Sequence, residues 1–134
     1  MPTVLIVDDE PDIVMLLRLA LEAAGYTTVE ASDGAEALEV IEARRPDVVL
    51  LDMMMPVMDG WTTLEHLGDR KDTTRVIAVT AKTAARDLDR AMALGAAAFV
   101  TKPFEPATLI QRMREVMRHD AAASSTPADD TPAP

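Results

Sequence analysis

Five short apolar runs, each followed by a stretch with helical periodicity, limit what this chain can fold into more than any other feature. The runs fall at residues 4–7, 27–31, 48–51, 76–79 and 98–100 and are rich in β-branched side chains. Runs that are apolar throughout, instead of alternating with polar residues, suit strands covered on both faces. Between the runs, Ile13, Leu16, Leu17, Ala20, Leu21 and Ala24 recur at i, i+3, i+4 and i+7 and stop at Gly25. Ala37, Leu38 and Ile41 mark a second helix, opened by Asp33 with Glu36 three residues on, a pair resembling a capping box. A third helix is expected over 60–67. A fourth contains Leu88, Ala91 and Met92 and stops at Gly95. A fifth carries Leu109, Met113, Val116 and Met117 after Pro106, a residue suited to a first helical turn.

The order is strand then helix, five times over. Such alternation with short loops predicts an α/β domain, a parallel sheet with helices on both faces. Right-handed crossovers leave few topologies. The expected one is a flavodoxin-like (βα)5 three-layer sandwich with strand order 2-1-3-4-5. In that arrangement chemistry gathers at the carboxyl ends of the strands, beside the point where the strand order reverses. The ordered domain is expected over residues 1–119. Residues 120–134, DAAASSTPADDTPAP, have no large apolar side chain. They cannot bury enough surface to offset their ordering entropy, so a disordered Ala/Pro/Ser/Asp-rich tail is expected there.

Composition removes several function classes. The chain has 134 residues, one domain's worth, and no cysteine, which excludes disulfides and cysteine-based zinc sites and fits a reducing cytosol. No basic stretch precedes the first apolar run, so no secretory signal is expected. No apolar run approaches the roughly 18–20 residues of a membrane span. A cytoplasmic chain without membrane contact is the expectation. The net charge is −10, and phosphate backbones select basic faces, so direct nucleic-acid binding is not expected of this domain. Acidity otherwise means solubility.

The polar residues at the strand ends carry the message. The first strand runs into Asp8, Asp9 and Glu10, the third into Asp52, the fourth into Thr80 and the fifth into Lys102 and Pro103. In the expected order these four strands are neighbours, so their ends converge on one pocket of carboxylates, a hydroxyl and an ammonium. Clustered carboxylates repel. A hard divalent cation such as Mg²⁺ relieves that, taking carboxylates together with phosphate and water. A carboxylate is also a nucleophile that forms aspartyl phosphate, and phosphoryl transfer needs positioning and charge neutralisation above all. Asp52, at the central strand end, is the best-placed attacker.

The segments VLIVDDEPDI, DMMMPVMDG at 52–60, VTA at 79–81 and FVTKPF at 99–104, taken in order after successive strands, resemble the response-regulator receiver family over roughly residues 3–118. The resemblance implies phosphorylation of Asp52 by a histidine kinase or a histidine phosphotransfer protein. It implies Mg²⁺ bound by Asp9, Asp52 and the main-chain carbonyl of Met54, with Asp8 reaching the metal mainly through water. Thr80 and Lys102 match the pair that contacts the phosphoryl group, and Phe99 matches the aromatic switch residue. Pro103 matches the proline that follows a cis bond. The implied readout is a partner-binding face made by the fourth helix, fifth strand and fifth helix. The partner on that face is not named by the sequence, and the oligomeric state is expected to be a monomer or a phosphorylation-dependent dimer.

Each signal has a plainer reading when taken alone. Asp8-Asp9-Glu10 suits a helix N-terminus, Lys102 a solvated surface, Thr80 a strand end, and Met53, Met54 and Met55 loop packing. Trp61 reads as a partly buried anchor, and His66 and His119 as surface residues. Arg86, Asp87 and Arg90 suit a docking face or a solvated one equally. Convergence of four strand ends favours the functional reading. A turnover phosphotransferase of the haloacid-dehalogenase type, the main alternative, resembles a D-x-D pattern after its first strand, whereas here Asp8 and Asp9 are adjacent. A flavin carrier needs a phosphate loop where DDEP would repel phosphate. A docking-only receiver is disfavoured by the intact set. No winged-helix or helix-turn-helix pattern follows, so a stand-alone receiver is expected, the alternative being a fragment of a longer regulator. Finally, residues two positions after Asp52 and Thr80, Met54 and Lys82, flank the expected approach of water to an acyl phosphate. A thioether positions water poorly, so a long-lived phospho-form is expected.

Overall fold

The computed structural model describes residues 2–53, 60–67, 74–80, 85–102 and 104–125. Five parallel strands, β1 (Thr3–Val7), β2 (Thr27–Ala31), β3 (Val48–Asp52), β4 (Arg75–Thr80) and β5 (Ala98–Thr101), alternate with α1 (Pro11–Ala23), α2 (Gly34–Arg44), α3 (Gly60–Leu67), α4 (Ala85–Ala93) and α5 (Pro106–Ser125). The sheet order is β2-β1-β3-β4-β5, as the alternation predicts. Val7 pairs with Leu51 across β1 and β3, and Asp52 pairs with Val79 across β3 and β4. This register brings the carboxyl ends of the central strands level with one another.

Side-chain alternation along each strand builds two core layers. Leu5, Val7, Val49, Leu51 and Ala78 face α2, α3 and α4, where Ile41, Leu64 and Ala91 cover them. Val4, Ile6, Val48, Leu50 and Ile77 face the opposite layer, closed by Leu17, Leu21, Leu109 and Met113 of α1 and α5. Every residue of β3 is buried, which is why its run is apolar without interruption. β2 lies at the sheet edge and leaves Thr27 and Glu30 exposed.

Local signals act where the sequence places them. The Asp33 carboxylate accepts from the Glu36 N–H at 2.9 Å. The Glu36 carboxylate reaches back to the Ser32 N–H at 2.8 Å, one residue further out than in a capping box. Gly25 and Gly95 end α1 and α4 with φ of 98° and 102°. Two expectations need correcting. First, the apolar pattern of α1 and α4 overstates burial: Leu16 and Met92 are exposed, together with Met15 and Leu19. Helix α1 carries apolar residues around more of its circumference than the sheet can cover. Second, α5 continues through 120–125, a segment expected to be disordered. Ala121, Ala122 and Ala123 stand there, and alanine has the highest helix propensity, so the backbone continues as helix. Residues 126–134 of the expected tail lie outside the described residues. Among the described residues, no helix is long and apolar enough to cross a membrane.

Candidate functional site: an acidic pocket at the strand ends

Asp8 directly follows β1, and its N–H extends the ladder by bonding to the Ala31 carbonyl at 3.3 Å. Its Oδ1 accepts from the Glu10 N–H at 2.9 Å, a local side-chain-to-backbone turn of the kind Asp favours. That turn sends the chain into α1 and leaves Asp9 exposed at the mouth. Asp52 closes β3. Asp8 and Asp52 are only 5% and 3% exposed, so both carboxylates lie in a poorly solvated place. One oxygen each from Asp8, Asp9 and Asp52 falls within 4.8 Å of the others.

Such a cluster is unstable without counter-charge, and Lys102 supplies it. Its Nζ lies 3.0 Å from Asp8 Oδ2, 2.9 Å from Glu10 Oε1 and 3.3 Å from Asp52 Oδ2. Burial works to lower the pKa of Lys102. Hydrogen bonds to Glu10 and Asp8 and the charges of Asp52 and Asp8 outweigh it, holding the ammonium well above the ordinary 10.5. The lysine is therefore a fixed positive charge and not a proton carrier. A groove of about 470 Å³ opens from Asp8 and Asp9 between α1 and the β2–α2 turn, so the mouth is reached from solvent.

The far wall of the site is backbone. The Met53 N–H donates to the Val79 carbonyl at 2.8 Å, and the Met53 carbonyl accepts from the Gly60 N–H at 3.2 Å. A Cβ at Gly60 would come 2.5 Å from Met53 Cα and 2.7 Å from the Asp52 carbonyl oxygen. Only glycine lets α3 start this close to Asp52. Next to it, Trp61 packs against the core layer of Leu51 and Leu64, and the Arg90 guanidinium of α4 stacks 4.2 Å from its ring centroid. Arg90 thus has a structural partner in α3.

The structure brings Asp8, Asp9, Asp52 and Lys102 together. Thr80 is described in its backbone, paired with Thr101. Phe99 is half-buried on β5, packed against the layer that includes Ala78 and Ala91. Met54, Lys82 and Pro103 lie outside the described residues. His66 is exposed, with its ring Nδ1 2.8 Å from the Thr62 carbonyl. Sequence reasoning missed two residues. Glu10 is a direct partner of Lys102, for which the signal was its place in the acidic triplet. Phe104 lines a small space of about 10 Å³ beneath Asp8 and Asp52, which its position after Lys102-Pro103 did not announce. The donor set suits Mg²⁺: every atom offered is a hard carboxylate oxygen, and one side stays open to water.

Over residues 4–114 the chain matches the family described as response regulator receiver domain. It is 39% identical over 129 residues to the alkaline phosphatase synthesis transcriptional regulatory protein PhoP of Bacillus subtilis, covering 95% of this chain and 54% of that protein. It is 43% identical over 122 residues to the probable transcriptional regulator ycf27 of Guillardia theta, covering 90% and 47%. The chain spans about half the length of the curated relatives it matches. Among solved structures, a CheY-like receiver domain protein from Methanospirillum hungatei superposes with a TM-score of 0.85 at 27% identity, covering 90% of this chain and 97% of that one. The chemotaxis protein CheY4 of Vibrio cholerae does so at 0.81 and 33%, covering 87% and 98%. Sheet order, acidic pocket and relatives agree, and the chain belongs to the response regulator receiver family of two-component signalling.

Proposed function

We propose that this receiver takes a phosphoryl group onto Asp52 from a histidine kinase or histidine phosphotransfer protein. The observation that carries the reading is the Lys102 ammonium 3.3 Å from a buried Asp52 carboxylate inside a cluster of three aspartates. An Asp52 oxygen attacks phosphorus, the bond from phosphorus to the donor nitrogen breaks, and the electron pair returns to the donor's imidazole. Lys102 holds counter-charge on the phosphoryl oxygens throughout, because it stays protonated in this setting. The Thr80 hydroxyl takes a further oxygen. Asp9, Asp52 and the Met54 carbonyl would hold Mg²⁺, with Asp8 reaching it through water; when bound, the ion supplies charge neutralisation to the phosphoryl oxygens. Thr80 and Phe99 then bias the α4–β5–α5 face between two arrangements toward a downstream partner. The reaction is the receiver's own modification, without turnover of a separate substrate.

Acetyl phosphate with Mg²⁺ should add one phosphoryl group by intact mass. EDTA added beforehand should prevent it, and Asp52→Asn should remove it. Incorporation by Asp52→Asn at the wild-type rate overturns the assignment.

A further inference from the structure

We propose that Glu10 is a positioning residue that competes with the phosphoryl group for Lys102 and so sets how strongly the pocket holds that group. The proposal rests on the reading of Asp52 as phosphoacceptor. An ammonium has three protons to donate. Glu10 Oε1, Asp8 Oδ2 and Asp52 Oδ2 face the Lys102 Nζ at 2.9, 3.0 and 3.3 Å. A phosphoryl oxygen therefore gains a bond to Lys102 only by displacing one of these partners.

The three partners differ in what displacement costs. Asp8 is 5% exposed, and its other oxygen holds the Glu10 N–H at 2.9 Å. Releasing it would strand a buried charge. Once Asp52 carries the phosphoryl group, its carboxylate charge has passed to the phosphoryl oxygens, so its contact with Lys102 is not a rival to them. The Glu10 side chain is 59% exposed, so water resolvates its carboxylate at little cost. Glu10 is the partner that yields. Until it does, its negative charge also faces the incoming anion. Both effects weaken phosphoryl binding.

The helix start does not account for this carboxylate. Glu10 is the N-cap of α1, yet its side chain makes no capping hydrogen bond. Its polar contact is instead with a residue 92 positions away. A side chain placed for the helix would turn toward the free N–H groups of the first turn.

The test compares the full chain as wild type, Glu10→Gln, Glu10→Asp and Glu10→Ser. Glutamine keeps the size and removes the charge. Aspartate keeps the charge and shortens the reach. Serine is a favoured N-cap and remains informative if glutamine fails to fold. The phosphorylation rate is measured against acetyl phosphate concentration with Mg²⁺, and beryllofluoride is titrated by NMR. For Glu10→Gln and Glu10→Ser, the half-saturating acetyl phosphate concentration and the beryllofluoride Kd should fall about threefold, the scale of one exposed ion pair. Glu10→Asp should fall between, and the difference should shrink in high salt. A wild type that takes up no phosphoryl group overturns the phosphoacceptor reading, and this proposal with it. Uptake by the wild type with unchanged or weaker binding in folded Glu10→Gln or Glu10→Ser overturns the role of Glu10 alone.

Discussion

Burial alone would lower the pKa of Lys102, and its carboxylate partners reverse the sign. The raised pKa makes a stability prediction with a definite direction. The contribution of the ammonium is fully present below the ordinary value of 10.5 and is lost as pH rises above that toward the raised folded value. In EDTA, the stability gap between wild type and Lys102→Gln should stay constant from neutral pH to about 10 and narrow above it. Urea unfolding at a series of pH values measures this, and a gap already closing at neutral pH contradicts the ion-pair account. Met54 leads to a kinetic test. A thioether accepts hydrogen bonds weakly, whereas an amide can orient the water that attacks an acyl phosphate. Met54→Asn should therefore lose its phosphoryl group faster than wild type once donor is removed with Mg²⁺ present. Equal or slower loss sinks the idea.

Helix α3 meets the site through its first residue. Gly60 sits where an added Cβ would press on Met53 Cα, Met53 Sδ and the Asp52 carbonyl, and two of those three atoms are backbone that cannot swing aside. Gly60→Ala should cost stability although alanine is the better helix former by about 1 kcal/mol. A net loss of roughly 1–3 kcal/mol is expected from overpacking, read as a lower urea midpoint with an unchanged slope. A gain in stability would contradict the 2.5–2.7 Å approach of a Gly60 Cβ to Met53 and Asp52. The Arg90–Trp61 stack ties α4 to the same helix, so α3 touches both the Asp52 backbone and an element of the proposed switching face.

Across the whole molecule, β3 lies between two sealed layers and ends in Asp52, while β4 and β5 lead from that end toward α4 and α5. Packed layers rearrange between discrete states and resist continuous deformation. Binding of beryllofluoride should therefore move NMR resonances over residues 80–104 as well as around 8, 9 and 52. Shifts confined to the immediate neighbours of Asp8, Asp9 and Asp52 would argue against a route through Thr80 and Phe99.

Element order, strand topology and the convergence of Asp8, Asp9, Asp52 and Lys102 are all legible in the order of residues along the chain. Each follows from a local signal: uninterrupted apolar runs for covered strands, glycine stops, and polar residues directly after a strand. Gly60 as the start of α3 was legible for the same reason. Partnerships across the fold were not. That Lys102 divides its protons among Glu10, Asp8 and Asp52, and that Arg90 stacks on Trp61, depends on side chains far apart in the chain and on distances set by packing. Exposure of Leu16 and Met92 was hidden as well, since periodicity marks which residues could face a core and not how much sheet lies beneath them. Continuation of α5 through 120–125 rests on the helix propensity of Ala121, Ala122 and Ala123, a weaker signal in the sequence than the lack of large apolar side chains there.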